Sequence, residues 1–239
     1  MTNQEPQKKE SFIKTLAIAL ALAMFVRSFF FEPFHIPSSS MKPGLLIGDY
    51  IFVSKFSYGY SRYSFPLGLN LFAGRIFENS PKRGDVAVFR LPTNPKINYI
   101  KRIIGLPGDK IQVRDGVLFI NESEVPKTDD GFFAEEGYKE IGQFIESLPN
   151  DKDIAILDEG TTAQDNTGIY QIPKDKYFMM GDNRDNSQDS RFLDHVGYVP
   201  KENLVGRANV IFFSNKKPTW QIWNWPTSIR FNRIFKRIK

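Results

Sequence analysis

The chain has 239 residues, 41% of them hydrophobic and 25% charged, which excludes wholesale disorder and allows one globular domain with additions or two small ones. Lys plus Arg number 32 against 27 Asp plus Glu, a net charge of +5 that suits phosphates and anionic lipids alike. The absence of Cys excludes disulfide frameworks, Cys-ligated zinc, iron–sulfur clusters and Cys nucleophiles; the two His, His35 and His195, exclude a three-His zinc site and leave a His-based triad few candidate bases.

Residues 1–11 are polar, and an apolar run, Phe12 to Phe34, follows. Its uncharged part, Thr15–Val26, is short for a membrane span; extension to Phe31 admits one charge, Arg27, and reaches roughly 25 Å, the low end of what crosses a bilayer. A membrane anchor, a cleavable signal peptide and a buried core helix all remain open. The small-x-small triplet Ala19-Leu20-Ala21 lies inside the run rather than after it, which argues against cleavage. Lys8, Lys9 and Lys14 precede the run, so the positive-inside bias puts the N-terminus in the cytoplasm and the remainder outside.

Beyond the run, short segments rich in Val, Ile, Phe and Tyr predict strands at Asp49–Ser54, Asp85–Arg90, Ile97–Ile104, Lys110–Val113, Val117–Ile120, Tyr177–Met180 and Asn209–Phe213. Asp115-Gly116 between two alternating runs predicts a hairpin turn. The fold class is mainly β, an antiparallel domain carried by residues 35–120 and 173–215. Residues 121–172 are more acidic and less patterned and read as an inserted lobe, with one short helix over Glu135–Ser147. Trp220, Trp223 and Trp225 mixed with cations make residues 216–239 a lipid-facing tail or, alternatively, a strand with a solvated basic end.

The chemistry gathers in three segments. His35-Ile-Pro-Ser-Ser-Ser-Met-Lys-Pro-Gly-Leu45 is either a polar turn or a nucleophile with its surroundings. In Asn98–Asp109, strand alternation puts Tyr99, Lys101 and Ile103 on one face and Ile100, Arg102 and Ile104 on the other, so Lys101 is a base among apolar neighbours, or salt-bridged, or reaching to solvent. Gly181–Arg191 (GDNRDNSQDSR) is dense in turn-forming side chains; a calcium loop is disfavoured by Arg184 and by Leu193 at the twelfth position counted from Asp182.

Taken together, PSSSMKPGLLIGD, Arg83–Phe89 (RGDVAVF), Tyr99–Asp109 (YIKRIIGLPGD) and GDNRDNSQDSR resemble, in order and spacing, the boxes of the type I signal peptidases, membrane-bound serine proteases with a lysine base. The resemblance implies an antiparallel β catalytic domain shared with LexA-like proteins, Ser40 as nucleophile and Lys101 as general base. It further implies a Ser187 hydroxyl orienting the Lys101 amine, and Ser38 with the Ser40 N–H as oxyanion donors. Arg102, Asp189 and Arg191 become the supporting charge network, with Arg102 placed to pair Asp189, and Ile36, Leu45, Tyr99 and Ile100 the walls of pockets for small side chains. The implied substrates are signal peptides of preproteins leaving the secretion translocon, cut after Ala-x-Ala at a bacterial cytoplasmic membrane. No cofactor, metal or nucleic acid is called for. Three departures stand out: Ser39 where many members have Gly, Gly44 in place of Thr, and a longer turn after Arg191 that holds His195. Lys42, expected in an exposed turn before Pro43, is the rival base. The rival functions are a self-cleaving repressor, which would carry a helix-turn-helix domain, a non-enzymatic membrane-anchored binding factor, and an RNA-binding β protein.

Overall fold

The computed structural model describes residues 5–65, 74–135 and 139–239; the side chains of residues 5–11 lie outside the description. An unbroken series of Leu, Ala, Ile and Met, free of Gly and Pro from Ser11 to Phe30, continues a helix, α1 (Glu5–Phe29). Its stretch Phe12–Phe29 has a mean hydropathy of 1.8, and only 6% of it is buried; most of its apolar side chains are exposed, while at its end the Phe29 ring packs on Tyr60 and Phe65. Only Phe30 separates α1 from strand β1 (Phe31–His35), so the apolar run is not helical to its end.

The body is antiparallel sheet. β2 (Asp49–Ser54), β3 (Val86–Leu91), β4 (Asn94–Gly105), β5 (Lys110–Arg114), β6 (Val117–Ile120), β7 (Lys127–Phe133), β8 (Ile141–Leu148), β9 (Lys152–Asp158), β10 (Lys176–Met180), β11 (Val199–Pro200) and β12 (Leu204–Ser214) follow in order, with four two-residue strands between them. Seven strands form the main sheet in the order β1-β2-β12-β3-β4-β10-β11. β3 sits at its centre, and its alternate residues feed two cores: Val86 and Val88 pack with Ile36, Met41, Leu45 and Ile51, while Ala87 and Phe89 pack with Ile103, Met179 and Val199. β5 and β6 form the expected hairpin, with Asp115 and Gly116 at φ 47° and 73°, the left-handed pair a type I′ turn requires.

The segment expected as a helix over Glu135–Ser147 is different. From Ile141 it is strand β8, the middle of a three-stranded sheet β7-β8-β9. Ile154 and Ile156 of β9 enter the same core as Ile104, Ile111 and Phe178, so the lobe shares the interior of the main domain. Residues 229–238 are not a loose tail either. Ile229 and Arg237 bridge back to Asn215 and Val210, Ile238 packs on the core, and Arg233 makes a bidentate pair with the buried Asp49.

Candidate active site

The serine turn leaves the sheet at Ile36, which is buried, and returns at Leu45, also buried. Between them Ser40 is 7% exposed. β4 runs past this turn; its first half is exposed and its second half, from Lys101 on, is buried. Lys101 Nζ lies 2.6 Å from Ser40 Oγ and donates to it in the ammonium form. The Tyr99 ring is 5.4 Å from the same nitrogen, and Ile103 completes that face. Burial drives the Lys101 amine down to about pKa 8; Asp189 and Asp182 pull it back up, and Arg191 pushes it further down. At pH 7.5 roughly a quarter of it is neutral, against about 0.1% for an exposed Lys.

The Gly181–Arg191 loop closes the site from beneath. Gly181 is the only residue type that fits its position, because a side-chain carbon there would overlap both Ser187 Oγ and the Ser40 carbonyl oxygen. The Asn183 N–H donates to that carbonyl at 3.1 Å and holds the serine turn down on the loop. Asp189 is fully buried, which would raise its pKa. The Arg191 charge and hydrogen bonds from Arg191, the Gly181 N–H and Ser187 outweigh this and hold it below the ordinary carboxylate range.

Three partnerships differ from expectation. Arg102 reaches Asp182, not Asp189, through bonds of 2.7 and 2.6 Å, and also holds the Gly84 and Lys239 carbonyls. Alternation assigned its face correctly; the loop turns Asp182 towards that face and Asp189 towards Arg191. Lys42 is not in an exposed turn: it is 2% exposed, with Glu135 of the lobe 2.5 Å away. The Ser187 hydroxyl donates to Asp189 at 2.7 Å rather than to Lys101. Ser38 is exposed, with its Oγ 3.4 Å from Ser40 Oγ, and the Ser40 N–H donates to no acceptor among the described residues. Tyr99 and Ile100 are half-buried beside the turn. His35 and His195 are both exposed, and neither ring bonds to Ser40.

Sequence reasoning missed the Arg184–Glu146 pair. Both side chains are buried and joined by two bonds of 2.6 Å, and together with the Leu157 N–H on the Asp182 carbonyl they fasten the lobe to the loop. An Arg inside an otherwise acidic loop was the available signal, but its partner lies 38 residues away in a segment read as a helix.

A family model described as signal peptidase, peptidase S26, matches residues 9–213. The chain belongs to this family. Signal peptidase I of Rickettsia canadensis (strain McKiel) is 41% identical over 94% of this chain and 92% of its own length. That of Rickettsia prowazekii (strain Madrid E) is 40% identical over 94% and 92%. A crystal structure of a signal peptidase I from Enterococcus faecalis V583 aligns at 26% identity over 54% of this chain and 97% of that one, with a TM-score of 0.32. The S26 member described here is thus a serine peptidase of the signal-peptide-processing class, and its apolar N-terminal helix fits a membrane-anchored enzyme.

Proposed function

We propose that the protein is a single-pass endopeptidase of a bacterial cytoplasmic membrane that removes signal peptides after Ala-x-Ala by a Ser40–Lys101 dyad. The observation that carries this reading is the 2.6 Å contact between Ser40 Oγ and a buried amine drawn down to about pKa 8. When that amine is neutral its lone pair accepts the Ser40 proton as Oγ adds to the scissile carbonyl carbon. The oxyanion so formed takes the Ser40 N–H and, after a rotation of its side chain, the Ser38 hydroxyl; one such donor is worth about 3–4 kcal/mol. The Lys101 ammonium then protonates the departing amine, leaving an ester on Ser40. A water molecule, deprotonated by the same amine, hydrolyses the ester. Ser187 acts through Asp189, holding the carboxylate whose charge tempers the Lys101 shift.

The substrate enters as an extended strand. Ile36 and Leu45, both buried, floor the site and Tyr99 and Ile100 wall it, an apolar lining suited to small side chains at alternate positions of the strand. Lys8, Lys9 and Lys14, in the N-terminal part of α1 ahead of its uncharged stretch, favour a cytoplasmic N-terminus, with the catalytic domain on the outer side. Trp220 and Trp223, 68% and 67% exposed and ring to ring at 5.7 Å, together with Phe231 and Phe235, offer an aromatic surface to lipid.

The test is cleavage of an Ala-x-Ala peptide by the full chain in detergent. Ser40→Ala and Lys101→Ala should each reduce kcat/KM by at least about a thousandfold. Lys101→Arg should not restore it, since a guanidinium stays charged. Wild-type kcat/KM should rise with pH and reach half its maximum near pH 8. An active Lys101→Arg variant would refute the base assignment.

A further inference from the structure

A cavity of about 180 Å³ opens beside the serine turn, at Ser39 and Lys42. Ser39, Asn183 and Asn186 form its inner edge, and Phe133, Lys139 and Ile141 of the lobe form the outer wall. Asn183 is 1% exposed, and its carboxamide oxygen is buried without a hydrogen-bond partner. A buried acceptor with no protein partner is met by water or by an arriving donor. Its neighbours are held in place: Asn186 donates to Ser39 Oγ at 2.9 Å, and the Asn183 N–H grips the Ser40 carbonyl. The outer wall is equally fixed, since Phe133 and Ile141 are cross-strand partners in β7 and β8.

A peptide lying across Ser40 has two ends. The residues before the scissile bond occupy the wall of Tyr99 and Ile100. The residues after it must leave the nucleophile in another direction, and this cavity adjoins Ser39 and Ser40 with an unused acceptor. We propose that it receives the first residues of the released chain, and that Asn183 with the lobe wall favours a carboxamide or hydroxyl side chain there. Such a side chain has a stem for Phe133 and Ile141 and a donor for the Asn183 oxygen, which a small turn of the carboxamide brings out to the cavity. Of the charged side chains that line it, Lys42 is met by Glu135 at 2.5 Å, and Lys139 and Glu159 oppose each other, which gives neither an acidic nor a basic residue an advantage. The inserted lobe thereby becomes a specificity element for the outgoing side of the substrate. This rests on the peptidase reading above.

The experiment compares two substrates on the full chain: an Ala-x-Ala peptide followed by Gln and further residues, and an Ala-x-Ala ester or anilide with nothing beyond the cleaved bond. Ile141→Trp fills the cavity from the lobe; Ile141→Ala widens it. The Trp variant should lose about tenfold or more in kcat/KM on the extended peptide and keep its rate on the truncated substrate. The Ala variant should narrow the wild-type advantage of Gln over Leu at the first position after the bond. Equal loss on both substrates, or no loss on either, would overturn the assignment. Wild-type enzyme inert towards both would instead remove the peptidase reading and this inference with it.

Discussion

Two lysines, Lys42 and Lys101, lie buried, one two residues along the chain from Ser40 and one in contact with it, and they differ in what faces them. Lys42, two residues along the turn, has the Glu135 carboxylate at 2.5 Å and the Phe133 ring at 5.9 Å. Lys101, on β4, faces a hydroxyl and a ring, with its nearest carboxylates already engaged by Arg191 and Arg102. Burial without a carboxylate in contact draws the Lys101 amine down to about pKa 8, the condition the proposed base requires; on the turn, Lys42 keeps in contact with Glu135, a carboxylate that Arg230 also reaches.

This contrast can be broken at either end. The largest effect on folding is expected from Glu135→Gln, which strands the Lys42 charge and should cost about 3–5 kcal/mol in chemical denaturation, with Lys42→Met in the same background recovering most of it. If the double variant still cleaves with a half-maximum near pH 8, Lys42 has no part in proton transfer. Next comes the strain stored at Lys101. Its pKa is about 8 when folded and near 10.5 when unfolded, so the native state carries the full penalty below pH 8, sheds it between 8 and 10.5, and is free of it above. Lys101→Met should accordingly raise stability by up to about 3 kcal/mol at pH 7 and by nearly nothing at pH 11, as followed by denaturant melts. A smaller effect is expected from Asp189→Asn. The carboxylate raises the Lys101 pKa, so its loss should move the acid limb of kcat/KM to lower pH while the maximum rate falls. Smallest of all, His35→Ala with His195→Ala should leave the pH profile in place; a profile displaced towards pH 6.5 or lost would assign proton transfer to a histidine.

The parts of the fold legible in the sequence were those governed by alternation and turn chemistry. Asp49–Ser54 and Val117–Ile120 are strands at the expected bounds, and Asp115-Gly116 turns as its composition requires. Ile141–Leu148 misled because Glu, Gln and Ser within a largely half-buried strand look helical until the partners β7 and β9 are known; the pairing is non-local and leaves no local pattern. The same limit applied at the site. Facing could be read from β4, so Lys101 and Arg102 fell on opposite sides, but which carboxylate meets Arg102 depends on how the loop folds. Glu146, Glu135 and the cavity at Asn183 depend on the lobe docking against the loop and could not be read from residue order.

The junction of anchor and enzyme is stiff. α1 gives way to β1 across a single residue, Arg27 and Lys55 both grasp Glu32, and Tyr60 holds the Phe29 carbonyl. A tether with no slack acts as a ruler: on the proposed reading, with the helix seated in lipid, Ser40 would ride at one height above the bilayer. A substrate whose own apolar segment ends too far from its cleavage point would pass over or under the blade, whatever its side chains.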